Sequence, residues 1–375
     1  MKKILYLVTE DWYFWSHRLA LARAVRKQGY EVFVMTRSGE YTESINAEGL
    51  ILLPLAMNRS IGSLAGELIT LSTIFRIYRE IKPDVVHHIA LKPVVLGSIA
   101  ARFARVPVVV NSYTGLGFLF ISDSKLSRLF RRFLLPLLSC FLKGNRVNNI
   151  VQNTTDRDLL ISLGLVVSSR TTLIRGSGVD MKIFNYTQEV VTDRPIVLFA
   201  SRLLRDKGIS EFIDAARLLK STGCNARFVV AGDIDPGNPT STSHELVGQW
   251  VADGLIEWWG HRVDMPSVFS QVNIVCLPSY REGLPKVLLE AAACGRAIVT
   301  TDVPGCSDVV VDGVNGLMVP VRNPVRLAEA IRTLVDSAEL RNKMGLAGRK
   351  YVEASFDVDA VNAETISLYN QLLEK

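Results

Sequence analysis

Short apolar runs alternate with amphipathic stretches from one end of the chain to the other. In the first half the strand-like runs are Ile4–Val8, Glu31–Met35, Leu50–Pro54, Val85–Ile89, Val106–Val110, Asn149–Val151 and Thr172–Ile174. Between several of them lie helix-like patterns, among them Arg18–Lys27, Leu64–Ile81 and Leu96–Ala104. A polar, patternless break follows at Asp180–Arg194. The alternation then restarts with Pro195–Ala200, Arg227–Ala231, Ile256–Trp259, Ile274–Leu277, Ala297–Thr301 and Leu317–Val319. Strands that are apolar throughout, each followed by a helix, predict parallel sheets covered on both faces. Two such series joined by one break predict two doubly wound domains: 1–185, 186–355, and a C-terminal helix 356–375 that packs back toward the first. Ligands of such sheets bind at the carboxyl ends of the strands, beside helix N-termini, and with two domains the natural site is the cleft between them.

The chain has 375 residues, nearly half apolar and about a fifth charged, enough to fill two cores. Charge is uneven. Residues 1–185 hold 24 Lys and Arg against 13 Asp and Glu, a net of +11, whereas the remainder holds 19 against 24. A basic first half points to a polyanionic partner such as nucleic acid, phosphorylated lipid or a membrane surface. No nucleic-acid motif accompanies it, so no nucleic-acid partner is expected. Cys140, Cys224, Cys276, Cys294 and Cys306 are scattered without a CxxC, which predicts reduced thiols in a cytoplasmic protein. Only five apolar residues separate Lys3 from Thr9, a first strand and not a signal peptide. No uncharged apolar run is long enough to span a bilayer.

Two strand-to-helix turns carry candidate chemistry. The run Ile196–Ala200 empties into Ser201-Arg202-Leu203-Leu204-Arg205-Asp206-Lys207-Gly208. Arg202 can grip phosphate oxygens bidentately, Lys207 acts as a point charge, and Gly208 lets backbone approach closely. Alone, the pair is as readily a solvated loop. The second turn, Pro278 to Pro285, places Glu282 before a helix that starts near Pro285 and encloses Glu290. Amides at Gly283 and Leu284 would point toward an anion, and a carboxylate there accepts hydrogen bonds from vicinal sugar hydroxyls. An acidic helix cap plus a surface Glu is the plainer alternative. Against it, Glu290 sits among Val287-Leu288-Leu289 and Ala291-Ala292-Ala293 and needs a partner.

These motifs resemble glycosyltransferase family 4. The pair Glu282/Glu290, Pro278-Ser279 before it and Ala293-Cys294-Gly295 after it carry the likeness. So do Ser201-Arg202-Leu203 with Lys207-Gly208, Gly260-His261-Arg262, and Asp312-Gly313 with Asn315-Gly316-Leu317. The resemblance covers essentially the whole chain. It implies two Rossmann-like domains facing across a cleft (GT-B) and retention of anomeric configuration. It also implies that Arg202 and Lys207 bind a donor diphosphate, Glu290 the ribose, Glu282 the donor sugar, and Gly283, Leu284 and Pro285 the loop against sugar and phosphate. Gly260 and His261 fall where the base stacks. No DxD motif is evident, so no cofactor and no metal are expected, with a UDP-sugar as co-substrate. The subgroup it resembles comprises bacterial lipid-carrier-linked N-acetylgalactosaminyltransferases of the bacillosamine pathway.

The acceptor side is less defined. Many relatives carry glycines after the first strand; this chain has Thr9-Glu10-Asp11-Trp12-Tyr13-Phe14-Trp15-Ser16-His17-Arg18. The aromatics are either a lipid or sugar platform or the packing of a long loop, and His17 and Arg18, taken as a helix start, are acceptor-phosphate candidates. Lys92 and one of His87 and His88 are expected on the acceptor side, with Thr114 and Gly115 of a Thr-Gly-Leu-Gly loop. Residues 125–143 mix Arg128, Arg131 and Arg132 with Leu and Phe, which suits an interfacial helix on an anionic membrane, or else a buried helix with a basic outer face. The expected partners are therefore a UDP-sugar, a polyprenyl-diphosphate-linked acceptor and an anionic surface at the cytoplasmic face of the membrane. The rivals are a UDP-sugar epimerase or sugar phosphorylase on the same scaffold, a transferase with a soluble acceptor, and a dinucleotide oxidoreductase, which the absence of GxGxxG after the first strand disfavours.

Overall fold

The structure, a computed structural model, describes residues 1–59, 62–115 and 135–374, with the side chains of 135–137 excepted. The chain divides into two compact units, Met1–Ser177 with the segment from Ala360 onward, and Gly178–Asp359.

The first unit holds β1 (Lys3–Glu10), β2 (Glu31–Arg37), β3 (Ile51–Pro54), β4 (Val85–Ile89), β5 (Val108–Tyr113), β6 (Val147–Val151) and β7 (Thr171–Leu173). All pair in parallel, in the order β3-β2-β1-β4-β5-β6-β7. Helices α1 (Asp11–Lys27), α2 (Thr42–Ala47), α3 (Leu64–Ile81) and α4 (Leu91–Ala104) connect the early strands. One face of the sheet packs Tyr6, Phe14, Leu21 and Val25 with Val361, Ile366 and Tyr369 of the C-terminal helix Val358–Leu373. The other packs Leu5, Met35 and Val86 with Ile74, Tyr78 and Ala101 of α3 and α4. Two covered faces account for strands without polar alternation.

The second unit holds β8 (Ile196–Ala200), β9 (Arg227–Ala231), β10 (Glu257–Gly260), β11 (Ile274–Leu277), β12 (Ala297–Thr301) and β13 (Gly316–Val319), again all parallel, ordered β10-β9-β8-β11-β12-β13. In both sheets the order reverses beside the first strand, between β1 and β4 and between β8 and β11. Those two switch points are where a ligand crevice opens in an open α/β sheet.

Three local expectations are revised. The helix after β1 starts at Asp11, with no intervening loop. Asp11 accepts from the amides of Trp12 and Tyr41, and Phe14, Leu21, Ala22 and Val25 recur at helical spacing into the core. The fifth strand runs to Tyr113, so Asn111 and Ser112 are strand residues. The division between units falls at Gly178 and not at 186, because Val179 pairs with Asp357 and exchanges backbone hydrogen bonds with Phe356 and Val358. Among the described residues no helix is long and apolar enough to cross a membrane.

Candidate active site

The β8/β11 switch point of the second unit gathers the sequence-predicted donor residues. After β8 the chain passes Arg202, makes a short helical turn over Arg205–Lys207, and enters the helix Ile209–Ser221 through Gly208, whose φ is +77°. A Cβ on Gly208 would lie 2.1 Å from the carbonyl oxygen of Pro278, at the end of β11. Glycine is therefore required twice there, by its dihedral and by the contact of the two turns. The amide of Tyr280 donates to the Asp206 carbonyl at 2.8 Å and locks the same junction.

This contact brings Lys207 and Glu282 together. Their Nζ and Oε1 are 2.5 Å apart, with side chains 22% and 10% exposed. Ser279 Oγ donates to the same carboxylate oxygen at 2.7 Å. The backbone of Glu282 is pinned in turn by Pro304: its amide donates to that carbonyl at 3.3 Å. Gly305 allows the approach, since a Cβ there would meet the Glu282 and Gly283 carbonyls at 2.7 Å.

Arg202 is held differently. Its guanidinium pairs with Asp235 at 2.5 Å, from the loop after β9, and its side chain is 42% exposed. Glu290 is buried in the helix Lys286–Ala293, and its carboxylate meets Lys286 Nζ at 3.0 Å, one turn back. Burial raises its pKa and Lys286 only partly offsets the rise. Pro285 caps this helix, and Gly283 and Leu284 precede it on the same turn. Gly260 ends β10 with φ +67°, and its carbonyl accepts from Gly232 at 2.7 Å. His261 follows it exposed, and Arg262 pairs with Asp264 at 2.6 Å.

The first unit sorts the acceptor candidates. Lys92, in the first turn of α4, donates to Glu67 at 2.7 Å and to the Asn58 carbonyl at 2.8 Å. Thr114 and Gly115 follow β5, both half-buried. Thus Lys92, Thr114 and Gly115 all lie at the carboxyl edge of the sheet. The two histidines do not, which corrects the expectation that one of them faces an acceptor. His87 and His88 are fully enclosed, because β4 is central in a sheet covered on both sides. His87 joins Tyr369 at 2.5 Å and Ser112 at 2.6 Å; His88 joins Tyr78 at 3.0 Å and Asn111 at 2.8 Å. Burial drives the His87 pKa well down and the His88 pKa to about 4, so both rings are neutral. Nor do His17 and Arg18 stand at a helix start, since α1 begins at Asp11. His17 stacks on Tyr13 with centroids 4.2 Å apart, and Arg18 is buried. Arg128, Arg131 and Arg132 lie outside the described residues.

Sequence reasoning missed three partners. Lys286 was findable from its four-residue spacing to Glu290. Ser279 was visible three residues before Glu282, yet its hydroxyl's aim needed the turn. Asp235 had no sequence signal, for it reaches Arg202 only because β9 is the neighbour of β8. Among the described residues no group of three or more His, Cys, Asp or Glu is placed to hold a metal.

Two parallel-sheet α/β domains of this kind define a GT-B protein, and the solved structures agree. HepE of Anabaena, crystallised with UDP and glucose, matches 98% of this chain and 100% of its own at a TM-score of 0.80 and 22% identity. Sucrose-phosphate synthase of Thermosynechococcus elongatus matches 100% of both chains at 0.80 and 20% identity. The sequence matches "Glycosyl transferases group 1" over residues 184–351 and "Glycosyl transferase 4-like" over residues 3–154. The chain thus carries a glycosyltransferase 4-like domain followed by a glycosyltransferase group 1 domain. Among curated relatives it is 28% identical, over 95% of both chains, to the N,N'-diacetylbacillosaminyl-diphospho-undecaprenol alpha-1,3-N-acetylgalactosaminyltransferase of Campylobacter jejuni. It is 26% identical to the capsular polysaccharide glycosyltransferase CapM of Staphylococcus aureus, over 100% of this chain and 98% of that one.

Proposed function

We propose that the chain is a retaining family 4 enzyme that moves an N-acetylhexosamine, N-acetylgalactosamine in our reading, from its UDP-sugar to an undecaprenyl-diphosphate-linked saccharide. It would work as a peripheral protein on the cytoplasmic face of the membrane. The observation that carries this reading is the meeting of Lys207 and Glu282 from two adjoining strand ends at a switch point. A cation and a carboxylate so placed suit the two ends of a nucleotide sugar, its diphosphate and its hydroxyls. The printed activities of the Campylobacter and Staphylococcus relatives support the lipid-linked acceptor, and the UDP complex of HepE supports the nucleotide.

In this reading Arg202 and Lys207 neutralise the diphosphate as the bond from the anomeric carbon to its leaving oxygen breaks. Glu282 still has lone pairs for sugar hydroxyls beyond those engaged by Lys207 and Ser279. Glu290 holds the ribose, and the Gly260–His261 turn flanks the base. Lys92, Thr114 and Gly115 serve the acceptor. The acceptor hydroxyl attacks from the face that the diphosphate leaves, and its proton passes to the departing diphosphate. Configuration is retained and no protein nucleophile is needed. Protein cations do the work of charge stabilisation, so we propose that the reaction needs no metal.

A screen of UDP- and GDP-sugars against an undecaprenyl-diphosphate-linked acceptor, read by mass spectrometry, tests the assignment. Transfer from one UDP-sugar, with UDP released only when acceptor is present, is the expected result and excludes an epimerase or phosphorylase. No transfer from any UDP-sugar refutes it. An inverted anomeric linkage in the product would sink retention, and abolition of turnover by EDTA would sink metal independence.

A further inference from the structure

Helix α3 is amphipathic in an unusual sense. Its inner side, Thr70, Ile74 and Tyr78, is buried in the first unit. Its outer side is also apolar: Leu64 is 78% exposed, Leu68 57%, Ile69 68% and Phe75 37%. Singly exposed apolar residues are ordinary, but four large ones on three turns of a single helix mark an interaction surface. At 100° per residue Leu64, Leu68 and Phe75 line one edge of the outer arc and Ile69 the other. Arg76 and Arg79 continue that arc, both exposed.

Over its first four turns the only carboxylate of the helix is Glu67, and Glu80 follows on the last turn. Glu67 is turned away from the arc to pair with Lys92 at 2.7 Å. The outer face therefore presents apolar bulk with two cations, Arg76 and Arg79, against one exposed acid, Glu80 on its last turn, in a half-chain whose net charge is +11. Such a helix lies in the headgroup plane of an anionic bilayer, apolar side chains down and cations among the phosphates. Its own inner face is occupied by the core, so it cannot insert further.

Orientation adds a functional argument. Helix α3 runs back from the carboxyl end of β3, so Leu64 and Leu68 lie at the carboxyl edge of the sheet. The Lys92–Glu67 pair ties that first turn to the start of α4, directly after β4. We propose that the outer face of α3 is a membrane-docking surface for anionic lipid, which seats the carboxyl edge of the first sheet at the water–lipid boundary. This deepens the lipid-linked reading of the acceptor and rests on it for its purpose, though not for its existence: a diphosphate on a polyprenyl chain sits at that boundary.

The test uses the full chain and phosphatidylcholine vesicles with and without phosphatidylglycerol, followed by flotation. The wild type should float only with the anionic vesicles. Leu68→Glu/Ile69→Glu should lower partitioning by about tenfold or more, since two apolar anchors become charges. Arg76→Ala/Arg79→Ala should erase the preference for anionic lipid. Both double variants should keep the wild-type far-UV circular dichroism, because every substituted side chain is exposed. Both should also keep turnover on a short, water-soluble polyprenyl-diphosphate acceptor. A wild type that stays with the soluble fraction overturns the proposal. So does a Leu68→Glu/Ile69→Glu chain that floats undiminished, which would put docking elsewhere, as in residues 125–143. A homodimer in light scattering that this variant splits would assign the face to a second copy and also overturns it. A chain that docks as described but transfers no sugar upholds the surface and refutes the enzymatic assignment instead.

Discussion

Lys207→Ala separates two effects that the Lys207–Glu282 pair combines. The first is stability. Removing one partner of a buried ion pair costs about 3–5 kcal/mol, because the other charge is left uncompensated. Glu282 is 10% exposed, but Ser279 Oγ continues to donate to it at 2.7 Å. The loss should therefore fall at or below the lower end of that range, about 3 kcal/mol. The second effect is on chemistry. Removing one preorganised charge from a developing anion costs about 10²–10³ in kcat, or about 2.7–4 kcal/mol. Denaturant unfolding reads the first effect, and UDP release at saturating donor and acceptor reads the second.

The double variant Lys207→Ala/Glu282→Gln decides between causes. With both charges gone no carboxylate is stranded, so most of the lost stability should return while kcat stays low. A kcat within tenfold of wild type in folded Lys207→Ala would refute a leaving-group role for Lys207. Recovery of activity in the double variant would refute it equally, by showing that the lysine only balances Glu282.

Asp235→Ala should matter far less. Arg202 is 42% exposed, and pairs that face water are worth about 0–1 kcal/mol, so kcat/KM should fall by no more than roughly fivefold. Glu290→Gln should raise the donor KM by one to two orders of magnitude, about 1.5–3 kcal/mol for a charged hydrogen bond, with kcat little changed; an unchanged KM would remove Glu290 from the donor site. The pH prediction concerns His88, whose pKa falls from 6.5 to about 4 on folding, through burial. The unfolded chain then binds the extra proton between those two values, so stability rises with pH across that window. It is complete above about pH 6.5 and about 3 kcal/mol of it is gone by pH 4. His88→Gln should flatten part of that slope in urea titrations, and a wild-type midpoint that does not move between pH 6.5 and 5 would contradict the buried neutral ring.

The second domain was legible in the sequence because most of its candidate site residues ride on turns. Arg202, Lys207 and Glu282 each follow a recognisable apolar strand within a few residues, and a side chain on such a turn projects from the carboxyl edge almost regardless of detail; Glu290 was marked instead as a carboxylate inside an apolar helix. What the sequence withheld were the groups set opposite them by strand order. Asp235 faces Arg202, and Pro278 touches Gly208, only because the order is β9-β8-β11. Hydrophobic pattern identifies strands but not which of them are neighbours.

The first domain was harder for a different reason. His87 and His88 belong to β4 itself, and a central parallel strand hides both of its faces, so period-2 alternation cannot send either ring to a ligand. Their polarity is spent inside, on Tyr369, Ser112, Tyr78 and Asn111. The same logic explains Arg18. Its place in the series Phe14, Arg18, Leu21, Ala22 and Val25 puts it on the buried stripe of α1, and the aromatics before it are helix and not loop. Polar residues inside an apolar period are thus poor candidates for ligand contact, however suggestive their chemistry. Apolar residues outside it are better ones, and Leu64, Leu68 and Ile69 break the period of α3 in that sense. The docking face proposed for α3 is read from such exceptions to the pattern, whereas the histidines obey it and stay inside.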